Sequence, residues 1–209
     1  MDKNARHAEL AALHARIAEI EAEIAGEEAA PEAFQGYYTA YYVVGGAMLG
    51  IFGAATSLLA NVIGSYVWNE LTGREQHPLR LIQVYLTFPL GAAALDINSG
   101  VTLAVGSCLY LGTGMLYGIL FHVVQSRFAP QAGFWARMAL MSVLSIAVWL
   151  INFYGILWWL QPLLFGDDWI VKLVPPWVAA LTHLVFGWTM VLVYPFGVYV
   201  PYRVQTEPS

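Results

Sequence analysis

Residues 40–65 read AYYVVGGAMLGIFGAATSLLANVIGS, a run without a single charge between Glu32 and Glu70. A helix crossing the ~30 Å hydrocarbon core of a bilayer needs ~20 apolar residues, and 18 or more without charge mark a span. Three more runs meet that condition: 97–126 between Asp96 and Arg127, 138–166 between Arg137 and Asp167, and 173–202 between Lys172 and Arg203. The expectation is an all-α integral membrane protein with four transmembrane helices, at about 40–66, 100–125, 136–160 and 177–200, within a domain spanning 37–202.

Composition agrees. Of 209 residues, 59% are apolar and only 11% charged, against about 25% charged in a soluble domain. The net charge is −5, and eight of the fourteen acids precede Gly36, so the acidity belongs to an N-terminal segment. A soluble globular enzyme, a basic nucleic-acid binder and a disordered chain are thereby excluded. The single cysteine, Cys108, cannot form an internal disulfide.

A fifth apolar run, Leu81–Leu95, lies between Arg80 and Asp96 and contains Pro89 and Gly91. Fifteen residues rise roughly 22 Å as a helix, too short to cross, so the segment 79–95 reads as interfacial or re-entrant, with a short fifth crossing as the competing reading. With the N-terminus in the cytoplasm, the inside carries Lys3, Arg6, Arg16, Arg127, Arg137 and Arg203, and the outside Arg74, Arg80 and Lys172. This excess of inside cations predicts a multi-pass protein with a cytoplasmic N-terminus. Residues 203–209 form a short tail.

Residues 1–36 read as a cytoplasmic helical arm and linker, with Leu10, Leu13, Ile17, Ile20 and Ile24 at spacings of three and four. Such a stripe on an acidic helix is unsuited to an anionic membrane surface and is expected to dock another protein subunit. Gly26 and Pro31 end the arm.

Inside the bilayer the clearest pattern is a ladder of small residues. Gly46, Gly50, Gly53, Ser57, Ala60 and Gly64 line one face of the first span, and Gly114 and Gly118 belong to a similar face of the second. Small residues let helix backbones approach where lipid supplies no hydrophobic drive, so these two helices are expected to pack together.

No Asp, Glu, Lys or Arg sits in the middle of a span, which disfavours proton relays and charged-substrate transport. The remaining polar groups are His122, His183, Asn61, Asn152, the hydroxyls and the tyrosines. By helical rise the two histidines differ in depth by ~20 Å, too far to share a haem. The sequence therefore predicts no catalytic, cofactor-binding or metal-binding residue, and no cofactor. Asp167-Asp168 reads as a solvated turn.

The run Asn152-Phe153-Tyr154-Gly155-Ile156, the stretch Trp158–Gly166 and the run Thr182-His183-Leu184-Val185-Phe186-Gly187-Trp188 resemble small, uncharacterised membrane subunits that accompany bacterial cytochrome oxidases and other respiratory complexes. The resemblance covers about residues 80–200 and carries over no functional residue. It implies a non-catalytic accessory subunit of a membrane electron-transfer complex in the bacterial inner membrane, with other membrane subunits as partners and no nucleic acid. The 158–177 connection, rich in large apolar side chains, is expected to be covered by such a subunit. The rivals are a homo-oligomeric channel or transporter for a neutral solute, and a haem- or quinone-binding redox subunit.

Overall fold

The computed structural model describes residues 3–27, 32–73 and 77–199. Every regular element among them is helical. The chain divides into two compact units, 1–40 and 41–209.

The first unit holds α1 (Lys3–Glu27). Ala and Glu favour the helix, and no Pro or Gly interrupts it before Gly26. Arg16 pairs with Glu19 one turn on, at 2.6 Å. Leu10, Leu13, Ile17 and Ile20 are all exposed on it; the side chain of Ile24, together with Pro31 and the 203–209 tail, lies outside the described residues.

Among the described residues, four helices are long and apolar enough to span a membrane: 39–72, 100–128, 134–165 and 176–197. The first belongs to α2 (Glu32–Thr72), whose 41 residues rise roughly 62 Å, well beyond the hydrocarbon thickness. The second is α4 (Gly100–Phe128). The third is composite: α5 (Phe134–Leu150), a π-helical segment (Ile151–Leu157) and α6 (Trp158–Phe165). The fourth is α8 (Pro176–Val193), closed by a 3₁₀ turn over Tyr194–Gly197.

The third span runs five residues beyond the expected end at 160, which shortens the connection to the fourth span. Gly166 ends α6 in the left-handed region, at φ 93°, with its N–H bonded to the Pro162 carbonyl. A five-residue helix, α7 (Trp169–Leu173), fills the remainder.

Between α2 and α4 lies α3 (Arg80–Leu90), continued by a 3₁₀ turn over Gly91–Asp96. At eleven residues it is too short to cross. Its Ile82, Val84 and Leu86 are 0–2% exposed, against α4 on one side and α6 and α7 on another. Gly106 of α4 admits the close approach, because a Cβ there would come within 2.7 Å of Ile82. Buried amides fix the segment. Gln83 donates to the Ile97 carbonyl at 2.8 Å. Gln161, fully buried, donates to the Thr87 hydroxyl and accepts from the Ile170 N–H, both at 3.0 Å, tying α3, α6 and α7 together.

The largest core cluster joins all four spans through Leu49, Phe121, Met141, Met190 and their neighbours. Gly187 sets the crossing of α5 and α8, where an added Cβ would lie 3.1 Å from the Met141 carbonyl. On the other side of the 129–133 loop, Arg137 donates to the carbonyls of Ala129 and Pro130 and stacks 4.2 Å over the Tyr194 ring.

Candidate functional site: an intramembrane chamber

The ladder residues divide by partner. Gly46 and Gly50 face α4: a Cβ on Gly46 would lie 2.9 Å from the Gly118 carbonyl, and one on Gly50 would come within 2.8 Å of Gly118 Cα and strike the Gly114 carbonyl. Gly114 and Gly118 meet Ala54, Gly46 and Gly50 in return. Gly53 faces the Phe186 ring of α8, not α4. Ala60 is half-buried, and Gly64 opens onto empty space. Ser57 bonds Tyr110 of α4 at 2.8 Å.

Next to the close Gly50–Gly114 contact the spans line a cavity of about 770 Å³. Ser57 and Asn61 of α2, Tyr110 and Tyr117 of α4, and Thr182 and His183 of α8 contribute to its wall. The π segment adds Asn152, Phe153, Ile156 and Leu157, while Leu81, Tyr85 and Phe88 of α3 and Ile170 of α7 close it. A π turn widens the helix by a residue and re-aims side chains, and such turns gather at functional sites. Here it turns Asn152 towards Tyr117, and the two bond at 2.7 Å.

Among the described residues, no charged side chain lines the cavity. Its polarity comes from hydroxyls, amides and one imidazole on a wall otherwise aromatic and aliphatic. Tyr85 bonds the Thr113 hydroxyl, and the Tyr85 ring meets those of Phe88 and Tyr110 edge to face at 6.0 and 5.7 Å. Aromatic walls carrying a few convergent polar groups, at this volume, are the ordinary character of a small-molecule site.

The two histidines have separate surroundings. His183 lines the cavity and donates through Nδ1 to the Ala179 carbonyl at 2.7 Å. His122 is fully buried towards the other end of the bundle, donating through Nε2 to the Gly197 carbonyl at 3.0 Å, between the rings of Tyr42 and Tyr194. The contacts of Phe121 with Phe186 and of Gln125 with the Met190 carbonyl set α4 and α8 in parallel register. His122 is bonded at the level of Gly197, fourteen residues beyond His183 on the fourth span and roughly 20 Å further by helical rise, so the two histidines keep separate depths as well as separate carbonyl partners.

Outside the spans, Lys172 pairs with Asp167 at 2.6 Å and Asp168 at 2.5 Å. The Lys172 hydrogen bond holds the Asp167 carboxyl below the usual carboxylate range, and both carboxylates push the ammonium above its own. Cys108 is exposed on α4.

The chamber as an assembly was not legible in single residues, although a signal existed. Tyr110, Thr113 and Tyr117 recur at spacings of three and four on one helix, and Ser57 and Asn61 at a spacing of four on another. A polar stripe inside an otherwise apolar span marks the face turned away from lipid.

No family model, curated protein or solved structure matches the chain.

Proposed function

We propose that this chain is a non-catalytic membrane protein that holds an uncharged, lipophilic small molecule in the chamber. One observation carries the reading: a cavity of about 770 Å³ lies among the spans, with a mostly apolar wall, a few polar groups and, among the described residues, no charge. An ionised ligand there would lack a counter-charge in a low-dielectric site, whereas a neutral amphiphile matches the wall. In a bacterial inner membrane with the N-terminus in the cytoplasm, the chamber occupies the outer half of the bilayer, reached laterally from lipid.

The test is native mass spectrometry of the chain released gently from its own membrane. A retained neutral adduct is expected, lost in Thr182→Phe and Ile156→Trp, which fill the chamber. Adduct-free protein, or an adduct indifferent to both substitutions, counts against the reading.

A second reading concerns context, and α1 favours it. Leu10, Leu13, Ile17 and Ile20 stand 42–57% exposed on a helix with mean composition too polar to enter lipid. A partner protein is the natural cover for that stripe. On this reading the chain serves as an accessory subunit of a membrane electron-transfer complex.

A further inference from the structure

Resting on the chamber reading, the direction of each hydrogen bond in the wall narrows the ligand further. A hydroxyl has one proton to give, and a backbone carbonyl can only accept. Ser57 donates to the Ala54 carbonyl at 3.1 Å, so in its bond with Tyr110 the phenol is the donor. Thr113 donates to the Leu109 carbonyl at 3.2 Å, so Tyr85 likewise donates to it. Both phenolic protons are spent on the protein, and lone pairs remain on Tyr85 and Tyr110.

The same holds on α8. Thr182 gives its proton to the Val178 carbonyl at 2.7 Å. His183 gives its Nδ1 proton to the Ala179 carbonyl, which leaves neutral Nε2 as a bare acceptor on a residue that lines the cavity. Elsewhere on the wall protons remain: Tyr117 accepts from the Asn152 amide and keeps its own, and the amides of Asn61 and Asn152 have N–H to give. Tyr85, Tyr110, Thr182 and His183 therefore offer the cavity lone pairs and no proton.

We infer that the chamber selects a neutral molecule bearing a hydroxyl donor on an aromatic ring, a phenol or quinol with an apolar tail, through acceptance by His183 Nε2. The ring requirement follows from the aromatic wall, where Tyr85, Tyr110, Phe121, Phe153 and Phe186 offer edge and face contacts. The hydroxyl requirement follows from these acceptors, since a ligand that only accepts leaves them unpaired and desolvated. An ammonium donor is disfavoured because, among the described residues, no carboxylate lines the site.

The experiment uses the full chain in nanodiscs and compares 4-nonylphenol with 4-nonylanisole, which shares ring and tail but has no proton to give. Empty nanodiscs supply the correction for partition into lipid. The phenol is expected to bind at least about tenfold more tightly than the ether. In His183→Leu that preference should collapse, and in His183→Gln, whose amide both donates and accepts, it should persist. Equal affinity for the two probes, both abolished by Thr182→Phe, would overturn the hydroxyl inference while leaving the chamber reading in place. Retention of neither probe above empty nanodiscs would overturn both.

Discussion

At the scale of single residues, the glycines separate into those that hold the fold and those that do not. A methyl on Gly50 or Gly118 meets backbone, which cannot swing aside as a side chain can. Overpacking of this kind costs about 1–3 kcal/mol. Gly50→Ala and Gly118→Ala should each lower the thermal midpoint in mild detergent, while Gly64→Ala, facing open space, should hold it or raise it slightly. Equal behaviour of all three would mean that α2 and α4 do not approach so closely. Gln161 carries a different burden, because it satisfies both the Ile170 N–H and the Thr87 hydroxyl from a fully buried position. Gln161→Leu should cost about 1–3 kcal/mol by leaving a buried N–H unpaired, read as faster proteolysis at the α6–α7 turn. The exposed Lys172 pair stands at the opposite extreme. Asp167 has a depressed folded pKa, so its contribution is present above the ordinary carboxylate pKa and lost as pH falls through the folded value. Exposure and salt screen such a pair, and Asp167→Asn should leave the thermal midpoint at neutral pH unchanged.

At the scale of elements, charge-free runs of 29 or more residues between ionised neighbours left little freedom, and four spans were legible from them. The short run at 81–95 was legible by the same length argument, and α3 is indeed too short to cross. Its hydrogen-bonded seat on Ile97 and Gln161 was not legible, because it depends on a backbone carbonyl 14 residues away and a side-chain amide 74 residues away. Nor was the π segment, since nothing in Ile151–Leu157 distinguishes a π turn from an α turn before its neighbours are placed. The ladder shows the same division. Spacing marked the small face of α2, but only the packed structure assigns Gly53 to Phe186 and not to α4. For α1, the spacing of its stripe predicts cover, and the exposed Leu13 and Ile17 sit at its centre. Burial of such side chains is worth ~1.5–3 kcal/mol each. Leu13→Asp with Ile17→Asp should leave membrane insertion intact and reduce recovery of the chain with its native partners, measured by cross-linking and co-purification from the parent membrane. Undiminished recovery would leave the accessory-subunit reading without its support.

At the scale of the whole molecule, the direction of insertion decides which leaflet the chamber meets. The sequence expectation for it rests on a count of Lys and Arg, six of nine of them assigned to the cytoplasmic side, Arg127 and Arg137 flanking the 129–133 loop among them. That loop is also clasped by Arg137, which spends its guanidinium on the Ala129 and Pro130 carbonyls and the Tyr194 ring. The opposite side carries the Asp167–Lys172 cluster, beside the α3 and α7 segments that close the chamber. Reversed insertion would place the larger share of cations outside and open the chamber towards the cytoplasmic leaflet, so topology decides which leaflet supplies the ligand. Both reporter positions are solvent-facing on their loops or partly so: Gln131 is exposed and Asp167 half-buried. In a Cys108→Ala background, which removes the one native thiol, Asp167→Cys in intact spheroplasts should react with a membrane-impermeant maleimide. Gln131→Cys should react only after the membrane is opened. Labelling of position 131 from outside would reverse the orientation, place the arm outside the cytoplasm, and move the chamber to the inner leaflet.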